Sequence, residues 1–312
     1  VVTMKKVVLV LAIMLLVSLA VGVEIGFVAA NLSAVTQATI AQNLEAISKT
    51  NGWTIYVSNS AGSWETMNNL VENYVSKKVD LIVVAMGQAS SLTSSLTAAK
   101  EAGIPVIGID SEYSDLLTAD ILTNNWEMGA KIATYLVDRL NHKGNIIVFK
   151  FDQFYGTRFR GKALDVVLTE EPNIKVLEVH HLPPAGFVED AQRTMESYLL
   201  KYGDKIDAVW CAWDDPAYAV SLAIRAAGYT QEDMFVVGID GNERNIGMIA
   251  ANNTAVVATI LQPFGDSATR AAELIQKIVV EGNSPEEVIG AVRVIYMDAP
   301  LITSANAQDY LK

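Results

Sequence analysis

Short apolar runs rich in valine and isoleucine recur along most of this chain. Between them lie longer stretches in which apolar residues return every three or four positions. The short runs, β-branched and closed by turn residues, read as strands buried on both faces of a parallel sheet. The longer stretches read as amphipathic helices covering those faces. The first cycle predicts strand 23–29, helix 33–50 with Ser33 as its cap, strand 54–57, helix 64–77, strand 80–85, helix 91–102, strand 105–109 and a short strand 120–123. A second cycle predicts helix 126–140, strand 145–149, helix 157–168, strand 175–179, helix 188–200, strand 207–211, helix 216–227 and strand 235–239. Helix 243–250, strand 255–261, helix 264–280 and strand 292–297 complete the chain. Strict βα alternation implies parallel sheets with right-handed crossovers. The fold class is therefore α/β, with two doubly wound parallel-sheet domains.

Two of the strands end alike. Gly103–Asp110 and Met234–Gly241 are each apolar runs that close on Gly-Ile-Asp. Asp110 and Asp240 thus fall at the carboxyl edges of sheets, where open α/β folds hold ligands. Two such edges, each with one carboxylate, suggest two similar domains facing one small polar molecule.

Composition narrows the partners. The 312 residues suffice for two ordinary domains. At 51% hydrophobic residues the chain can bury sizeable cores. A formal net charge of −12 and no basic stripe speak against nucleic acid. Lys5-Lys6, the apolar stretch 7–17 and the small residues up to Gly22 read as a secretory signal, cut near Ala20 or Gly22. Met4 would then be the true start. An uncleaved anchor is the competing reading. The single cysteine, Cys211, allows no internal disulfide and reads as a small buried hydrophobe. With three histidines, two of them adjacent, no metal site is expected, and no cofactor.

Six stretches now matter together: Gly103–Asp110, Asn124–Gly129, Gly156–Gly161, Ala208–Ala219, Val236–Asn242 and Ala258–Gln262. In this order and spacing they resemble the sugar-binding proteins of ABC transporters, of the ribose/galactose-binding type. The resemblance covers essentially the whole mature chain. It implies two domains joined by three hinge crossings, with ligand in the cleft between them. The first domain would comprise residues 23–124 plus 263–291, and the second 125–262 plus 292–312. Lactose-repressor-like regulators share the fold, but their N-terminal DNA-binding segment is replaced here by the signal.

The resemblance also assigns residues. It makes Asp110 and Asp240 the ligand carboxylates of the two domains. It favours Arg158 in Gly-Thr-Arg-Phe-Arg-Gly as the ligand arginine, with Arg160, which could instead be a surface residue, as its competitor. Gln262 matches a hinge amide, Asp214 an acid beside the site, and Phe187 a second-domain aromatic. Trp213 stands where the family often has an amide, and offers a stacking face instead. The first domain departs most. Thr36 and Gln37 occupy the place of the usual aromatic pair, and Ser111 that of an arginine. Asn31 and Gln37 would supply polar contacts there, and Trp126 or Trp64 the missing aromatic face.

These residues predict an exported solute-binding protein, not an enzyme. It would be a monomer that captures a sugar or sugar-like polyol and delivers it to an ABC permease. The departures point toward a polyol or an unusual sugar. A ligand-presenting sensor subunit is the alternative. An exported glycoside hydrolase is disfavoured, because two acids on separate domains beside an arginine should both stay ionised.

Overall fold

The computed structural model describes residues 22–311. Apart from Gly22, the segment read as a signal lies outside the described residues. The strands in chain order are β1 (Glu24–Ala29), β2 (Thr54–Asn59), β3 (Leu81–Ala85), β4 (Val106–Ile109), β5 (Ala119–Leu122), β6 (Gly144–Lys150), β7 (Ile174–His181), β8 (Ala208–Cys211), β9 (Phe235–Val237), β10 (Val256–Ile260), β11 (Val294–Tyr296) and β12 (Leu301–Thr303). The helices are α1 (Val35–Asn51), α2 (Trp64–Lys77), α3 (Thr93–Glu101), α4 (Asn125–Arg139), α5 (Tyr155–Thr169), α6 (Phe187–Tyr202), α7 (Asp214–Ala226), α8 (Glu243–Ala251), α9 (Phe264–Ile275) and α10 (Pro285–Ile289).

Two six-stranded sheets form, ordered β11-β5-β4-β3-β1-β2 and β12-β10-β9-β8-β6-β7. The orders are equivalent, so the chain builds one architecture twice. Strands such as Leu-Ile-Val-Val-Ala at 81–85 are buried throughout, as a sheet covered on both faces requires. Every pairing is parallel except β10 with β12. One apolar core lies around the first sheet, and two lie on the faces of the second. Cys211 is buried in β8.

The chain crosses between the sheets three times: after β5, after β10 and after β11. Helix α9 follows the second crossing and packs its Phe264 and Leu274 into the first core. The third crossing corrects the expected boundary. Val294–Tyr296 pairs with Asp120–Leu122 in the first sheet, so residues 292–297 do not join 298–312 in the second. Only β12, a strand the apolar pattern was too short to reveal, returns to the second sheet. Ser33 is also not the cap of α1. Its amide and hydroxyl donate to Asn31 Oδ1 instead, at 3.0 and 2.7 Å, and the cap position falls on Ala34.

Candidate functional site

The carboxyl ends of β1, β3 and β4 face those of β6, β8 and β9 across a cleft of about 810 Å³, its mouth included. Asp110 and Asp240 both line it. Each follows its strand with a backbone that favours glycine, at φ +49° and +137°. Sheet hydrogen bonds hold them so: Asp110 N donates to Ile121 O and Asp240 N to Ile260 O, both at 2.8 Å. Such strain gathers where side chains must be aimed at ligands. Gly241 beyond Asp240 is obligatory, with φ +70° and no room for a Cβ, which would lie 2.6 Å from Leu261 Cα.

One arginine joins the two acids. Arg160 Nη1 lies 3.3 Å from Asp240 Oδ1, and Nη2 lies 4.0 Å from Asp110 Oδ2. Its Nε donates to Asn125 Oδ1 at 2.8 Å, and Nη1 also donates to Ala212 O at 3.1 Å. Asn125 Nδ2 and the Tyr155 hydroxyl each donate to Asp110 Oδ1 at 3.3 Å. Gln262 Nε2 donates to Asp240 Oδ1 at 2.8 Å, while its Oε1 accepts from Thr123 Oγ1 at 2.6 Å. The site is therefore cross-braced between the domains.

The electrostatics depart from expectation. Burial pushes both Asp110 and Asp240 above the usual carboxylate range, and Arg160 only partly pulls them back. Asp120, buried behind Asp110 and facing Gly108 on β4, is raised further by burial with only the Ser111 amide to oppose it.

The structure places the sequence-predicted residues unequally. Asp110, Asp240, Asn31, Gln37, Trp213 and Phe187 line the cleft, and Gln262 touches it through Asp240. Arg158 does not. It lies two residues from Arg160 on α5, roughly 200° around the helix, and its Nη1 donates to Asp152 O near the surface. Arg160, the competitor in the same motif, is 2% exposed and lines the cleft. Trp126 is also outside. It is 45% exposed and stacks on Phe159 with ring centres 4.9 Å apart. Trp64 takes the first-domain aromatic place instead. Asp214 is wholly buried beneath the cleft floor, accepting from Thr259 Oγ1 at 2.8 Å and Asn242 N at 2.9 Å. Sequence reasoning missed Phe151, Phe154, Met86, Asn125 and Tyr155. Phe151 and Phe187 pack edge-on against Trp213, at 5.7 and 5.1 Å, forming an aromatic wall.

Asp214 carries a prediction. Burial raises it to about 6, above the ordinary aspartate value it regains on unfolding. A raised folded value stabilises fully below pH ~4, and this contribution is lost as pH rises through about 6. Wild type should therefore lose about 2 kcal/mol relative to Asp214→Asn between pH 4 and pH 7. Urea unfolding of both proteins at the two pH values measures it. A difference that does not change with pH would contradict the assignment.

The comparisons fit this geometry. The family model for the periplasmic binding protein domain matches residues 25–284. The xylitol-binding protein of Mycolicibacterium smegmatis is 29% identical over 225 residues, 71% of this chain and 62% of that protein, just under two thirds of its length. The D-apiose import binding protein of Actinobacillus succinogenes is 25% identical over 260 residues, covering 82% of this chain and 80% of that one. An ABC transporter solute binding protein from Agrobacterium vitis, solved with bound allitol, shares the fold with a TM-score of 0.81 at 24% identity, over 93% of this chain and 98% of its own. With a matching family model over most of its length, this chain belongs to the periplasmic binding protein family.

Proposed function

We propose that this protein captures a sugar or polyol between its two domains, outside the cytoplasmic membrane, and delivers it to an ABC permease. The observation that carries this reading is the pair of strand-end carboxylates, one from each domain, joined through buried Arg160. A molecule with several hydroxyls donates to Asp110 and Asp240 at once and so ties the domains together. The Trp213, Phe187 and Phe151 wall suits the C–H faces of such a molecule. Among the described residues lining the cleft, Trp64 is the one aromatic from the first domain, which favours a polyol or an open, flexible sugar. The names of the relatives, for xylitol and D-apiose, lie in the same chemical class.

Tryptophan fluorescence titrated with a panel of pentoses, hexoses, pentitols and hexitols tests this, since Trp64 and Trp213 line the cleft. At least one member should give a saturable change, with a matching rise in unfolding temperature. A flat response to the whole panel would contradict the proposal. With the binder in hand, Trp213→Ala should lower affinity roughly tenfold or more. Trp126→Ala, outside the cleft, should leave affinity within about twofold.

A further inference from the structure

Asp110 is left incompletely answered. Its carboxylate is 2% exposed and lines the cleft, yet Oδ2 has no hydrogen-bond partner. The nearest cation, Arg160 Nη2, stands 4.0 Å away. Arg160 is already engaged by Asn125, the Ala212 carbonyl and Asp240. Behind Asp110 sits Asp120, 1% exposed, its own Oδ2 also without a partner and no cation beside it. Among the described residues lining the cleft, the charged side chains are Asp110, Asp240 and Arg160. The floor therefore has more buried carboxylate than cation.

A buried carboxylate without a full partner is costly, and that cost is already built into the empty fold. A neutral hydroxyl supplies the missing hydrogen bond but leaves the charge. A protonated amine supplies both. A ligand carboxylate or phosphate would instead add a third anion to the same enclosed space, which is how binding sites reject a wrong partner.

We infer that the cleft takes a hydroxylated ligand bearing a protonated amine, with the ammonium on Asp110 Oδ2, and turns away acidic sugars. This deepens the sugar or polyol reading above and rests on it. The ammonium completes the charge balance that Arg160 begins, and the remaining hydroxyls reach Asp240, Asn31 and Gln37.

The test uses three forms of one skeleton by isothermal titration calorimetry at pH 7: xylitol, 1-amino-1-deoxyxylitol and xylonate. The same three forms of the other pentitols and of the hexitols are run beside them. For the skeletons that bind, the amine form should bind about tenfold tighter than the neutral form, and the acid form about 100-fold weaker. In Asp110→Asn, checked for folding by its thermal transition, the amine preference should fall to about threefold or less. Neutral polyols that bind as tightly as their amines in wild type would overturn this inference while leaving the polyol reading intact. No binding by any form would overturn both.

Discussion

Replacing Arg160 with methionine should cost about 3–5 kcal/mol of folding stability, whereas Arg158→Met should cost about 0.5 kcal/mol or less. Methionine keeps the unbranched stem of arginine but not its charge. Without the guanidinium, Asp240 loses its buried counter-ion at 3.3 Å and Asp110 the cation 4.0 Å away. Asn125 Oδ1 and Ala212 O lose their donors as well. Buried acids stripped of a partner answer by binding protons, so the loss should be smaller at pH 5 than at pH 8. Arg158 supports none of this, since it donates only to the Asp152 carbonyl at the surface. Urea unfolding of the two variants at both pH values reads the effect. Equal losses in the two would sink the assignment of Arg160 as the bridge.

Asp240→Asn should weaken ligand binding about 10-fold, and Asp240→Ala about 100-fold or more. The carboxylate gathers Gln262 and Arg160 on Oδ1, and Oδ2 would accept from the ligand. Asparagine fills the same shape with one acceptor and no charge. Alanine removes both and leaves Arg160 and Gln262 facing an empty position. Because φ at this residue is +137°, alanine also adds backbone strain, so the asparagine variant separates binding from folding. Calorimetry with the best binder of the polyol panel measures both variants. Unchanged affinity in Asp240→Ala would remove this residue from the site.

Much of the architecture was legible because buried parallel strands leave nearly continuous apolar runs, and both Gly-Ile-Asp ends fall at sheet edges. Which sheet residues 292–297 join was not. Val294–Tyr296 and Leu301–Thr303 are three-residue strands in different sheets, and nothing in so short a run says which sheet it joins. The arginine was misjudged because Arg158 and Arg160 share one motif and differ only in helix phase. The phase was nevertheless present. Ala163 and Leu164 follow Arg160 at helical spacing and are buried with it. Gly129 on α4 repeats the message, since a Cβ there would lie 2.7 Å from Arg160 Cα. That close approach of the two helices turns residue 160 inward. Trp126 was misplaced for a similar reason. Its neighbour Asn125 is the residue of α4 that faces the site, and Trp126 is swung out onto Phe159. Asp214 sits beneath the floor rather than in the cleft because the helix it opens packs under β9, where its Oδ1 would lie 2.4 Å from a Cβ on Gly238.

The most direct test is mass spectrometry of the small molecules released from protein purified without unfolding. A hydroxylated compound of the sugar or polyol class should be released, and it should be absent from Asp240→Ala prepared in parallel. Release of an amino acid, a peptide or an acidic metabolite, retained by the Asp240→Ala protein, would contradict a polyol held between Asp110 and Asp240.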